Sequence, residues 1–157
     1  MINLKILNKK AIKEILKTIK NQWNTDIDFK DQVLLEDNDG KIFITNKDIS
    51  RIDLSKLRIN SIGLYLAQKM IDGLRLSIEG SQLIGPKAKK NVLELTEKQK
   101  KEWIKGYDLE LDKPLSGFLI IKHQQDFLGC GKAIKPNKLL NYVPKNRRLK
   151  VTEPPLS

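Results

Sequence analysis

Apolar and polar positions alternate in two rhythms along this chain: a helical one near the start, then mostly short strands. Ile12, Ile15, Leu16, Ile19 and Trp23 recur at helical spacing, and Asn8 is placed to cap their N-terminus. A helix is therefore expected over 9–23, with its apolar stripe turned to a core and Lys9, Lys13, Lys17 and Lys20 on the other side. Val33-Leu34-Leu35 and Ile42-Phe43-Ile44 flank Asp37-Asn38-Asp39-Gly40, which signals a hairpin. The acidic turn does not fit a calcium loop. Leu35 stands where the first ligand should be, and no Glu closes the loop.

A short helix is expected over 46–52, capped by Asn46 or Asp48, and a strand over 58–67. After the Asp72-Gly73 turn comes a strand over 74–78. Ser77 or Glu79 then opens a short helix that Gly85-Pro86 ends. The basic stretch 87–91 separates this half from the next. Val92–Leu95 reads as a strand. Thr96 and Gln99 form a capping box for a helix through Lys105, and Gly106 follows its end. Asp112-Lys113-Pro114 turns the chain. Phe118–Lys122 is apolar on both faces, hence central, and Phe127–Ile134 is a strand interrupted by Gly129 and Gly131. Pro136-Asn137 turns the chain into last strands over 139–143 and 147–151, parted by Pro144, before a loose tail at 152–157. Short strands with Gly and Pro turns beside one helix suggest a small, partly closed barrel. The expected fold class is α+β, divided into units 1–89 and 90–157.

The chain's 157 residues, 39% hydrophobic and 31% charged, suit one domain or two small packed ones. No apolar run approaches the ~18 residues of a membrane span. Met1–Lys10 lacks a signal peptide's apolar stretch. Cys130 is the single cysteine, so no internal disulfide and no cysteine-based metal site is expected. These features point to a cytoplasmic protein without a metal or other cofactor and without a membrane partner.

Charge adds direction. The net charge is +11, with 25 lysines and only 5 arginines. Residues 1–24 carry +5, residues 25–40 carry −5, and Lys132–Lys150 holds seven cations and no acid. A polyanion such as nucleic acid fits this balance. Arg147 and Arg148 mark the C-terminal block, because the planar guanidinium is the better phosphate ligand.

Catalytic chemistry is poorly provided for. His123 is the only histidine, no nucleophile motif surrounds it, and no phosphate-binding glycine loop occurs. In Gly129-Cys130-Gly131-Lys132 the glycines either admit a ligand to the backbone or form a bulge at a barrel corner. Cys130 reads as a small core residue with no base beside it. Tyr142, inside the basic block, could stack on a base or pack in the barrel. No catalytic residue is expected.

Two stretches resemble a known family: Ser61–Tyr65 with "GLRLSIEGSQLIGPKA" at 73–88, and "GFLIIKHQQDFLGCGKAIKPNKLLNYVPKNRRL" at 117–149. Both resemble small archaeal ribosome-biogenesis proteins with a C-terminal PUA domain. They are similar to the PUA extension of Nop/Sun-type RNA cytosine-5 methyltransferases and to the two-domain PUA factor of eukaryotic large-subunit biogenesis. The resemblance implies an α/β pre-PUA domain followed by a PUA pseudo-barrel of mixed strands. It also implies binding of structured RNA, ribosomal or transfer RNA, in ribosome biogenesis or RNA modification. By position, the implied RNA surface is the Lys101–Gly106 end of the helix, the Lys122–Lys132 region and the Lys145–Arg148 stretch. Together with charge this selects Lys132, Lys135, Lys138, Lys145, Arg147 and Arg148, then Lys101, Lys105 and Lys122, with Gly129 and Gly131 for backbone approach. An alternative is an adaptor that docks an RNA methyltransferase or ribosome assembly factor, with RNA contact secondary.

Overall fold

A computed structural model describes residues 4–46 and 63–148. The expected helix over 46–52 falls almost wholly outside these residues, as do the start of the strand over 58–67, residues 149–151 and the tail.

Helix α1 runs Lys9–Trp23 as expected. Asn8 Oδ1 accepts the Ala11 N–H at 2.9 Å, which satisfies one of the donors left open at a helix start. Asn24, in the left-handed region at φ 51°, stops the helix. Around it lie β1 (Lys5–Ile6), β2 (Gln32–Glu36), β3 (Lys41–Asn46), β4 (Leu64–Met70) and β5 (Gly73–Leu76), joined as an antiparallel sheet in chain order. Helix α2 (Ile78–Ile84) follows, capped by Ser77 Oγ, which accepts from Gly80 N at 2.8 Å. The preceding strand stops at Leu76 rather than 78 because Ser77 turns the backbone to make that cap.

The second sheet is mixed, in the order β6-β8-β9-β10-β7. Its strands are β6 (Val92–Glu94), β7 (Leu109–Glu110), β8 (Gly117–His123), β9 (Asp126–Ile134) and β10 (Lys138–Leu140), and β6 runs parallel to β8. Helix α3 (Glu97–Ile104) has the full Thr96–Gln99 capping box, and Gly106 turns out of it at φ +94°. The two-residue strands β1 and β7 are too short to leave an alternation pattern, and sequence reasoning missed both.

The strand expected to end at 67 runs on to Met70 in β4, and three strand expectations in the C-terminal half also need correction. β9 is continuous rather than interrupted. Its pairing slips one residue, from Ile120↔Cys130 to Lys122↔Phe127, and Gly129 takes up the bulge at φ +109°. β10 ends at Leu140, not 143. The Asn141 side chain ties the chain instead to Trp103 O (2.8 Å), Tyr107 O (2.9 Å) and Val143 N (2.7 Å). Finally, Lys145–Arg147 is a 3-10 turn rather than the start of a strand.

The cores explain why β8 is apolar on both faces. Phe118 and Ile120 join Trp23, Leu34, Leu66 and Ile84 in the core of the first unit. Leu119 and Ile121 join Trp103, Leu109 and Leu139 in the core of the second. β8 is thus a wall with a hydrophobic core on each side, and Cys130 of β9 faces the same core as Trp23. Trp23 Nε1 also donates to Phe118 O at 3.2 Å.

The shared wall predicts one cooperative unfolding transition. Both tryptophans are fully buried, one in each core. Trp23→Phe and Trp103→Phe leave one reporter each, and within each variant the tryptophan-fluorescence and far-UV circular dichroism urea curves should coincide. Phe118→Ala should cost about 3–5 kcal/mol and move both reporters together. A separate early transition of either tryptophan would refute the shared core.

Candidate nucleic-acid interface

The predicted cations do not form one patch. Several are spent at the junction between the two units. Lys132 Nζ lies 2.5 Å from Asp72 Oδ2, on the β4–β5 turn, and 5.7 Å from the centre of the Phe118 ring. This pairing lowers the Asp72 carboxyl pKa and raises that of Lys132. Arg147 Nη1 donates to Glu79 Oε1 of α2 at 2.6 Å. Arg75 lays its guanidinium over the Tyr142 ring at 4.2 Å and donates to Gln68 Oε1 at 2.8 Å. Tyr142 is therefore half-buried with one face already occupied, which fits packing rather than stacking on a base. Tyr65, Arg75, Glu79, Cys130, Tyr142 and Arg147 border a small cleft of about 90 Å³ at this junction.

The two glycines also face inward. Gly129 N donates to Ser81 Oγ of α2 at 2.9 Å. A Cβ on Gly131 would stand 2.8 Å from both Trp103 and Leu139. Gly129 thus lies against α2 and borders the junction cleft, and Gly131 lies against Trp103 of α3 and Leu139 of β10. Cys130 is buried, and burial pushes its thiol pKa up to about 12, which removes it as a nucleophile at neutral pH. His123 is buried too. Its Nδ1 lies 3.0 Å from Leu95 O and its Nε2 2.9 Å from Glu97 Oε2, so it locks the start of α3 onto β8. Lys122 is half-buried near the β8–β9 turn, with Nζ 5.6 Å from the centre of the Phe127 ring.

A second group of cations lies on the end of α3, the segment after β10 and the β9–β10 turn. Lys101 and Lys105 lie on the last turns of α3 and beyond. Arg148 packs against Gly106 and donates from Nε to Val143 O at 2.9 Å. Lys145 is exposed on the adjoining 3-10 turn. Lys138 faces Glu110 across β10–β7 and lies 3.5 Å from Asp108 Oδ2, and Lys135 is exposed on the turn before it. Asn141 fastens this region through its bonds to the end of α3. Tyr107, one residue past Gly106, is 51% exposed. Sequence reasoning missed it because Tyr107 belongs to no periodic element; its place just after a helix-ending glycine was the available signal. Lys101, Lys105, Lys135 and Lys145 make no ion pair among the described residues. This part of the chain offers four cations without an ion pair among the described residues, Arg148, and one exposed aromatic ring.

Comparison with known proteins places the C-terminal half beside a described family. Residues 90–149 match the family described as Methyltransferase RsmF PUA domain. Over 144 residues the chain is 26% identical to the ribosomal RNA small subunit methyltransferase F of Vibrio parahaemolyticus, covering 88% of this chain and 29% of that protein. The protein of the same name from Aeromonas salmonicida is 32% identical over 91 residues, and that from Erwinia tasmaniensis is 28% identical over 123. These spans cover 57% and 77% of this chain, and 19% and 24% of those relatives. The chain thus spans less than a third of the length of the relatives it matches. Its C-terminal unit is a PUA domain similar to that of Sun/Nop-type RNA methyltransferases. The expected archaeal kinship gains no support from these bacterial matches.

Burial of Cys130 sets a direct check. A thiol reagent at pH 8 should read no accessible cysteine in the folded protein and one after unfolding in guanidinium. Rapid labelling of the folded chain would contradict its place in the core.

Proposed function

We propose that this chain is a non-catalytic RNA-binding module that acts in ribosomal RNA modification or ribosome biogenesis. The observation that carries the reading is the PUA match at 90–149, which holds Lys101, Lys105, Lys135 and Lys145 without an ion pair among the described residues and the exposed ring of Tyr107. Lys101, Lys105, Lys135, Lys138, Lys145 and Arg148 neutralise phosphates and release counterions. Tyr107 stacks on an unpaired base, and the rigid surface reads RNA shape. Lys132 and Arg147 act indirectly, by bracing the two units. Methyl transfer on the same RNA belongs to a partner.

One observation favours the adaptor as a second reading. Ile71, at the β4–β5 turn, is fully exposed, beside a groove that includes Ile15, Met70 and Leu74. A partner enzyme presenting an apolar side chain would fit there.

Changing Lys101, Lys105 and Lys145 together to Gln should weaken binding to a structured ribosomal RNA fragment. The slope of log K against log salt should become shallower by about 2–3. Tyr107→Ala should cost about 1–3 kcal/mol of binding with little change in that slope. Circular dichroism should show both variants folded. Wild-type affinity and slope in both would remove RNA from this surface.

A further inference from the structure

Helix α1 presents five exposed lysines, Lys9, Lys10, Lys13, Lys17 and Lys20, while Ile15, Ile19 and Trp23 are buried. At 3.6 residues per turn the five fall within about 100° of the helix circumference. Glu14 is the helix's single acid. The spacing makes like-charge neighbours of Lys9 and Lys13, Lys10 and Lys13, Lys13 and Lys17, and Lys17 and Lys20, and each of these pairs repels. The first turn holds no acid, so Lys9 and Lys10 stand at the positive end of the helix dipole. Helices α2 and α3 instead carry Glu79 and Glu97 in their first turns. Among the described residues, Lys20 alone of the five has an ion pair, with Asp26 at 3.2 Å.

This repulsion cannot be relieved by moving the helix. Gln22 is bonded to both Leu74 N (2.8 Å) and Leu74 O (2.9 Å), and Trp23 is anchored to Phe118. A row of anions would relieve it. Lys9, Lys13 and Lys17 advance about 6 Å per step along the helix, a spacing suited to an extended, regularly charged chain. A membrane fits poorly, because an interfacial helix must insert its apolar face and here that face is buried in the core.

We propose that the lysine face of α1 is a second RNA-backbone contact, separate from the α3-side surface and engaging consecutive phosphates of the same RNA. The inference rests on the RNA-binding reading above. Both contacts belong to one body braced through β8, so an RNA long enough to reach both gains from the high effective concentration of the second site.

The test uses the full chain with Lys9, Lys13 and Lys17 changed together to Gln, beside the Lys101/Lys105/Lys145→Gln chain. Each is titrated with a long structured ribosomal RNA fragment across a salt series, and separately with phosphatidylserine vesicles. The α1 variant should lose at least tenfold in RNA affinity at 0.1 M salt, with a slope shallower by about 2–3. Its thermal stability should be equal or higher, because repulsion has been removed. An unchanged slope in the α1 variant, with a reduced one in the α3-side variant, would overturn the second contact and leave the RNA reading standing. So would vesicle binding that the α1 variant loses while its RNA affinity stays the same. A wild-type chain that binds no RNA would overturn both.

Discussion

Strand β8 is the constraint on which the rest of the molecule depends. A strand normally spends one face on a core and the other on solvent or a covering layer. Here Phe118 and Ile120 seal one core while Leu119 and Ile121 seal the other. Neither unit can close its interior without this strand. Ordering one side therefore orders the other, and the backbone carbonyl of Phe118 is at once a ladder group of one sheet and the partner of Trp23 from the other unit.

That shared wall sorts the charged residues. Cations near it have been drawn into fixed pairs: Lys132 with Asp72, Arg147 with Glu79, Arg75 with Tyr142. These are partly exposed contacts, so each contributes little to stability alone. Each links a residue of 1–89 to one of 90–157. Away from the wall, Lys101, Lys105 and Lys145 around the end of α3 and Lys9, Lys10, Lys13 and Lys17 along α1 make no ion pair among the described residues, whereas Lys20 and Lys138 do. The basic charge thus resolves into cations held in pairs between the two halves and cations left without a partner among the described residues, a distinction that net charge cannot make.

Much of the fold was legible in the sequence because its signals were local. Asn8 and the Thr96–Gln99 box each cap the helix they were expected to cap, and Ser77, one of two candidates, caps α2. The double-sided apolar run at Phe118–Lys122 gave away a central strand. What failed to show was set by contacts distant in sequence. Asn141 ends β10 by bonding residues more than thirty positions away, and Arg148 folds back onto Gly106. The candidate site was legible only in part for the same reason. Lysine position along the chain marks a basic block, but whether Arg147 faces solvent or Glu79 depends on packing between units. Tyr142 drew notice as an aromatic among cations, whereas Tyr107 carries the exposed ring.

The central claim is that RNA meets this protein at the end of α3 and the segment after β10. Photocrosslinking of the full chain to a 4-thiouridine-labelled structured ribosomal RNA fragment, read by mass spectrometry, tests it most directly. Crosslinks should concentrate on Tyr107 and the neighbouring Lys101–Gly106 and Lys145–Arg148 segments, whatever further contacts appear on α1. Crosslinks confined to the Lys122–Phe127 end of the β8–β9 hairpin, or none above a non-binding control protein, would contradict it.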